Sequence, residues 1–224
     1  ALKWTEYDPA KANDMLDALG LDKRDEDGIR LLPDGRPMNI IVETAGEDTE
    51  QTDVLELVHD GWAEVGIKLF TKPSQREVFR NRIFSGETLI SIWGGFENGL
   101  PTAGMNPAEL APTSQQSLQW PKWGQFFETK GQAGEAPDLP KAKELADLNG
   151  QWLVSTDDAT RADIWQQMLQ IHADETFSIG IVSGVMQPVV ASGKLRNIPA
   201  EAVYNWDPGA MFGIYRPDTF YYEK

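Results

Sequence analysis

The chain has 224 residues, 41% apolar and 25% charged, which is ordinary globular usage and enough length for one large domain or two small ones with a sizeable core. Its 35 acidic against 20 basic residues leave a net charge of −15, so nucleic acids and anionic lipids are poor partners. The absence of cysteine excludes disulfide scaffolds, thiolate metal sites and cysteine nucleophiles, and no window approaches the roughly 18 uninterrupted apolar residues of a helical membrane span.

The chain opens at Ala1 with no charged-then-apolar leader. The expectation is that a signal has been removed or that the chain is a piece of something longer. "YDPAKANDMLDALG" predicts a first helix. Asp8 is placed to cap it, Pro9 to sit at the first position, and Gly20 to end it in a left-handed conformation. Ala12, Met15, Leu16 and Leu19 give that helix an apolar stripe. Two Asp-Gly turns follow, at Asp27-Gly28 and Asp34-Gly35. Their acids do not have the spacing of a calcium loop.

"MNIIVETAG", residues 38–46, predicts a strand. "DTEQTDVLELVHDGWAEVG" predicts a helix with Val54, Leu57, Val58, Trp62 and Val65 on one face, closed by Gly66. "IKLFTKP" is the next strand, stopped at Pro73. "SQREVFRNRIFSG" is a shorter helix with Val78, Phe79, Arg82 and Ile83 on one side and Gly86 at its end. "TLISIWG" is a third strand. The order strand, helix, strand, helix, strand predicts parallel α/β units.

Regular structure is expected to fade from Gly94 to Pro140, a segment rich in Gly, Pro, Asn, Ser, Thr and Gln with "WPKWGQFF" in its middle. A loop of that length in a folded domain is commonly functional, and its aromatics argue against disorder. "DLPKAKELADLNGQWLVS" and "DDATRADIWQQMLQIHADET" predict two more helices. Asp158 is the expected cap of the second, and Ala162, Trp165, Met168, Leu169 and His172 its shared face. "FSIGIVSGV" and "QPVVASG" predict strands. The tail beyond Leu195 is aromatic and turn-rich.

The eight tryptophans are many for this length. Each offers a flat apolar face and one N–H donor. Trp62 and Trp165 read as core fillers, and Trp120 and Trp123 as packing across the long loop. The two histidines, His59 and His172, have no partner at metal-ligand spacing and read as structural. No metal and no cofactor is expected. "IVSGV" around Ser183 lacks the first glycine of a nucleophile elbow, and "ASGKLRN" fails the phosphate-loop pattern at Leu195. Paired carboxylates for glycoside hydrolysis are compatible with so many acids but carry no positive signal.

Four features in order resemble the oligopeptide-, dipeptide- and nickel-binding group of ABC-transporter solute-binding proteins, extracellular family 5. They are "YDPAKANDMLDALG" with "DGIRLLPDGRPMNIIVET", the helix ending in "GWAEVGIKLF", "REVFRNRIFSGETLISIWGG", and "DDATRADIWQQMLQIHADETFSIGIV". Together they cover close to the whole chain. No one motif is specific, but their order and spacing are. The resemblance implies an α/β fold, the C-terminal lobe of a two-lobe, class II-like periplasmic binding protein, with a mixed sheet flanked by helices. Residues 1–185 would form the second-lobe domain, with an irregular loop at 94–140. Residues 186–224 would return toward a first lobe lying upstream of Ala1.

What the resemblance implies for function is a periplasmic, non-enzymatic protein. It would close on a peptide, oligosaccharide or similar solute and hand it to an ABC permease in the membrane. The strand ending at Trp93 would send its exit loop into the cleft between lobes, as the physics of α/β sheets favours. The expected ligand residues are Trp93, Gly94, Gly95, Phe96, Glu97 and Asn98, with Tyr204 and Trp206 after the return strands. In peptide-binding members an aspartate three positions after the tryptophan pairs with the peptide's amino terminus. Phe96 stands there here, so a non-peptide solute stands level with a peptide. Two other readings stay open: a glycoside hydrolase-like enzyme acting on oligosaccharides, and a module that contacts other proteins through its aromatic tail.

Overall fold

The computed structural model describes residues 4–47, 49–95, 102–181, 186, 188–202 and 216–223. The chain divides into two compact units, residues 1–93 with 114–136, and residues 94–113 with 137–224.

In the first unit, helix α1 spans Pro9–Ala18. The Asp8 carboxylate accepts from the Lys11 N–H at 2.9 Å. Gly20 takes φ +81°, with Gly20 N–H donating to Asp17 O and Leu21 N–H to Leu16 O, the paired bonds of a left-handed helix end. The expected apolar stripe is only half used, because Met15 and Leu19 are exposed. Polar bonds hold α1 instead. Arg30, 1% exposed, donates to Asp17 Oδ1 at 2.5 Å, to Asn13 Oδ1 at 2.6 Å and to Val65 O at 2.7 Å. Gly66, at φ +81°, lies against the Arg24 guanidinium, and a Cβ there would come within 2.5 Å of Arg24 Nη1 and 3.0 Å of Arg30 Cγ.

Three parallel strands follow: β1 (Asn39–Thr44), β2 (Lys68–Pro73) and β3 (Ile90–Ser91), in the order β2-β1-β3. Helix α2 (Glu50–Glu64) joins β1 to β2, and α3 (Arg76–Ser85) joins β2 to β3. The predicted third strand is cut to two residues, paired with Val42 and Glu43 of β1. Alternation along β1 sends Val42 to one face and Glu43 to the other. Val42 packs with Leu55 and Leu69, backed by Val58, Trp62, Ile90 and Ile92, so α2 covers that face. Leu55 takes the core position in place of Leu57, which is 73% exposed. On the opposite face Ala45, Phe79 and Ile83 form the core with Phe84, Trp93 and Leu118, so α3 covers it. Val78, expected inside, is exposed.

The segment expected to be irregular contains helix α4, Pro121–Glu128. Gly124, inside this helix, is required by close approach: a Cβ there would meet Ser114 O at 2.0 Å. Glu128 completes the dock, accepting from Ser114 Oγ at 2.7 Å and from Gln115 N at 3.2 Å. Trp120, 5% exposed, stacks on Trp123 with ring centres 6.3 Å apart.

The second unit is built on two helices, α5 (Pro140–Val154) and α6 (Asp158–Glu175). Asp157, not Asp158, caps α6, accepting from Thr160 N at 2.8 Å. The buried face of α6 is Ile164, Met168 and Ile171, a rotation from the one expected; Leu169 is exposed. Three ring nitrogens pin the segment before α5: Trp152 Nε1 donates to Ala103 O at 3.0 Å, Trp165 Nε1 to Met105 O at 2.9 Å, and His172 Nε2 meets Leu110 O at 2.8 Å. Burial holds the His172 imidazole below its ordinary pKa, against the opposing pull of the Leu110 carbonyl. No strand forms at 177–181 or 188–193 among the described residues; Ile179, Ile181, Val189 and Val190 are exposed. Their β-propensity reports fit to a neighbouring strand, which this unit does not supply there. A short antiparallel ladder instead pairs β4 (Leu195–Arg196) with β5 (Tyr221–Tyr222).

Candidate functional site

Because β1, β2 and β3 are parallel, their carboxyl ends share one edge: Thr44 pairs with Pro73, and Glu43 with Ser91. The segments leaving that edge are Ala45–Glu47, Ser74–Arg76 and Ile92–Gly95. In open α/β sheets this edge is where ligands bind. An open depression lies there, lined by Ala45, Gly46, Glu47, Ser74, Gln75 and Arg76.

Trp93 stands beside it. Ile92 N donates to Glu43 O at 3.1 Å, which continues the register and aligns Trp93 with Ala45 on the α3 face. The indole is half-buried and stacks on Phe79, with centres 5.6 Å apart and planes 21° apart. The guanidinium carbons of Arg76 and Arg80 lie 5.2 and 5.8 Å from the ring centre. Phe79, Arg76 and Arg80 all project from one side of α3, as positions three and four apart do. One helix thus fixes the ring's orientation.

The charges around the ring are arranged by the same helix. Arg76 makes a two-pronged ion pair with Glu47, Nε to Oε1 at 2.6 Å and Nη2 to Oε2, and this bond holds the Glu47 carboxyl below the usual carboxylate range. Arg82 grips Glu43 with Nε at 2.8 Å and Nη2 at 2.9 Å, and reaches Glu87 with Nη1 at 2.8 Å. Glu43 is 3% exposed, and the Arg82 bonds depress its pKa against the opposing effect of burial. Arg80 donates from Nη2 to Gln116 Oε1 at 2.7 Å and makes no ion pair among the described residues. In the depression, Ser74 Oγ is buried without a hydrogen-bond partner among the described residues.

Of the residues expected to contact ligand, the structure places Trp93, Gly94 and Gly95 at this edge. A Cβ at Gly94 or Gly95 would meet nothing within 4 Å, so packing among the described residues does not require either glycine. Phe96, Glu97, Asn98, Tyr204 and Trp206 lie outside the described residues. Glu47, Ser74, Arg76 and Arg80 also lie at or beside this edge but are not among the expected ligand residues, because only the exit of the third strand is marked in the sequence, by an apolar run before two glycines. The rule that all parallel strands end on one edge would have found the exits of the other two. Among the described residues no group of three His, Cys, Asp or Glu side chains is placed to hold a metal, and no helix is long and apolar enough to cross a membrane.

A small parallel sheet between helices, with its carboxyl edge open, is the architecture of a lobe of a two-lobe periplasmic binding protein. The comparisons place it further. Residues 1–112 match the model of the bacterial extracellular solute-binding proteins, family 5 Middle, and the chain belongs to that family. The fold is similar to the oligopeptide-binding protein OppA, with 25% identity and a TM-score of 0.73 over 98% of this chain and 36% of that one. It is also similar to MelB of Agrobacterium fabrum in complex with stachyose, with 18% identity, TM-score 0.61, 77% of this chain and 25% of that one. NikA of Brucella suis matches at 23% identity, TM-score 0.54, 76% of this chain and 31% of that one. The chain therefore spans about a third of the length of these proteins. A search of curated proteins finds no match.

Proposed function

We propose that this chain is the second lobe of the solute-binding component of an ABC importer. In this reading it works in the periplasm, captures a peptide, oligosaccharide or similar small solute in a cleft against a first lobe, and delivers it to a membrane permease. The observation that carries the reading is the open carboxyl edge at Trp93-Gly94-Gly95 in a family 5 chain. A fixed indole supplies a flat face, and the two glycines let a ligand approach the backbone. Phe96, Glu97 and Asn98 would extend that surface, with Tyr204 and Trp206 added from the return segment 186–224. The exposed apolar residues at 179–190 support a return toward another lobe, since such a stretch is covered when a neighbouring strand pairs with it.

No catalytic step enters this mechanism. Ligand touching both lobes in the closed state shifts the open–closed balance by its difference in affinity for the two. Phe96, at the position where peptide-binding relatives carry an aspartate, keeps sugars level with peptides. The test is mass spectrometry of small molecules released from full-length protein purified from its host, followed by calorimetry with each. A released solute that rebinds with measurable heat, and whose binding weakens in Trp93→Ala, supports the proposal. Turnover of an oligosaccharide that stops when one carboxylate is neutralised overturns it in favour of hydrolysis.

A further inference from the structure

We infer that Glu47 and Arg76 together form a diol-recognition site beside Trp93, so that the solute this lobe takes is an uncharged sugar held at two neighbouring hydroxyls. This rests on the proposed binding role of the Trp93 edge and narrows its substrate class.

The backbone sets the pair in place. Gly46 turns the chain leaving β1 into a left-handed conformation, φ +62°, close against the chain leaving β2. A Cβ at Gly46 would come within 3.1 Å of Ser74 O and 3.3 Å of Pro73 Cβ, so no larger residue fits that turn without a shift. Ser74 N donates to Thr44 O at 3.0 Å and stitches the two exits together. Glu47 follows at once and meets Arg76 at the start of α3, Nε to Oε1 at 2.6 Å and Nη2 to Oε2. The Trp93 ring holds the same guanidinium, whose carbon lies 5.2 Å from the ring centre. An ordinary surface ion pair contributes little and is loosely held. This one is two-pronged, lines the depression, and keeps both members about half exposed to an incoming solute.

The hydrogen-bonding groups left over decide what fits. A guanidinium has five N–H donors, and Glu47 takes the Nε–H and one of those on Nη2, which leaves the rest of Nη2 and all of Nη1. Each Glu47 oxygen accepts one of these bonds and has a lone pair to spare. The Arg76 bonds hold the Glu47 carboxyl below the usual carboxylate range, so it stays an acceptor near neutral pH. A ligand therefore meets donors and acceptors side by side. A hydroxyl satisfies both, donating to the carboxylate and accepting from the guanidinium, and two on neighbouring ring carbons present the pattern twice on one side. A peptide amide does not, because its N–H and C=O point in opposite directions across a planar trans bond. A ligand carboxylate has no proton to donate and is repelled by Glu47, and an ammonium has no lone pair and is repelled by Arg76. With its hydroxyls on this pair, a sugar ring brings its apolar face toward the indole.

The test uses full-length protein. Solute released from protein purified from its host is identified by mass spectrometry, and a neutral saccharide is expected. That solute, cellotriose, maltotriose and trialanine are titrated by calorimetry. The saccharide that binds most tightly is then compared with analogues that lack one hydroxyl of each neighbouring pair in turn. Wild-type protein is expected to bind one such analogue about tenfold more weakly than the parent sugar, the loss of one charge-assisted bond. Glu47→Gln is expected to bring the parent down to the level of that analogue while leaving the analogue unchanged. A merely structural role for Glu47 would weaken both alike. Arg76→Lys, which keeps the charge and loses the fork, also weakens the parent. Melting curves check that both variants fold. A released solute that is charged, peptidic or without adjacent hydroxyls, tighter binding of trialanine than of the saccharides, or a hydroxyl preference that survives Glu47→Gln overturns the diol assignment and leaves the binding role standing. If no solute is released and none of the three probes binds, the binding role falls and this inference with it.

Discussion

The two faces of the three-stranded sheet are built differently. The face under α2 has an apolar centre, with Val42, Leu55 and Leu69 packed together. The face under α3 mixes Ala45, Phe79 and Ile83 with the Glu43–Arg82 ion pair and runs out to Trp93 at the carboxyl edge. An apolar face supplies stability through area removed from water. Buried charge and half-buried aromatics contribute less net stability for the same area, so their presence calls for another role. The α2 face is read as the support and the α3 face as the part that positions ligand-facing groups.

The sharpest test of the support side is Leu55→Ala. Leu55 is 3% exposed at the centre of its cluster, so the truncation is expected to cost about 3 kcal/mol in urea denaturation. Ligand affinity of the folded protein should be unchanged. An affinity loss as large as the stability loss would erase the distinction between the faces.

What was legible in the sequence follows the same division. The α2 helix was readable because its signals are local: a helical period through Val58, Trp62 and Val65, Gly66 after its end, and a strand on each side, although the period named Leu57 where Leu55 is the buried residue. Trp93 was readable because it ends an apolar run before two glycines. Glu43 was not, since an acid in a strand looks solvent-facing until its partner, 39 residues away in Arg82, is known. Helix α4 was hidden by the Gly-, Pro- and amide-rich composition of 94–140, in which Gly124 answers to the backbone at Ser114 and does not break the helix. Glu47 and Ser74 line the depression, and Arg76 and Arg80 meet the Trp93 ring, only after the chain has crossed the sheet twice, so no window of sequence contains the edge. Within the strands expected at 177–185 and 187–193, the described residues 177–181 and 188–193 show the converse error, propensity without a partner.

The next effect concerns the whole α3 edge. If it forms one wall of a cleft, the chain without a first lobe offers ligand only half its contacts. Its affinity is expected to fall at least about a hundredfold below that of the full-length protein, close to 2.7 kcal/mol, by calorimetry with the released solute. Equal affinities would show that this lobe binds unaided.

Within the α3 face, Glu43→Gln separates the ion pair from the aromatic surface. Loss of the buried carboxylate leaves Arg82 without its main partner and is expected to cost roughly 2 kcal/mol near neutral pH. Arg82 depresses the Glu43 pKa in the folded state, so the pair's contribution is complete above the ordinary carboxylate pKa of about 4.3. It is lost as pH falls through the depressed value. Wild-type and variant stabilities should therefore converge on the acid side. A gap that stays constant down to low pH would mean that shape, not charge, makes Glu43 necessary.

The smallest expected effect bears most directly on the comparison. Trp93 belongs to the α3 cluster but is only half-buried, and its stack on Phe79 uses part of its surface. Trp93→Ala should therefore lower stability less than Leu55→Ala does. It should weaken ligand binding by about tenfold, close to 1.4 kcal/mol, the loss of one stacking surface. Trp93→Phe, which keeps a flat ring on Phe79 between the two arginines, should recover most of that binding. Calorimetry and urea denaturation on the same three proteins give both numbers. If alanine costs stability on the scale of Leu55→Ala and phenylalanine restores stability alone, then Trp93 is core like the residues under α2. The two faces would then differ in composition without differing in purpose.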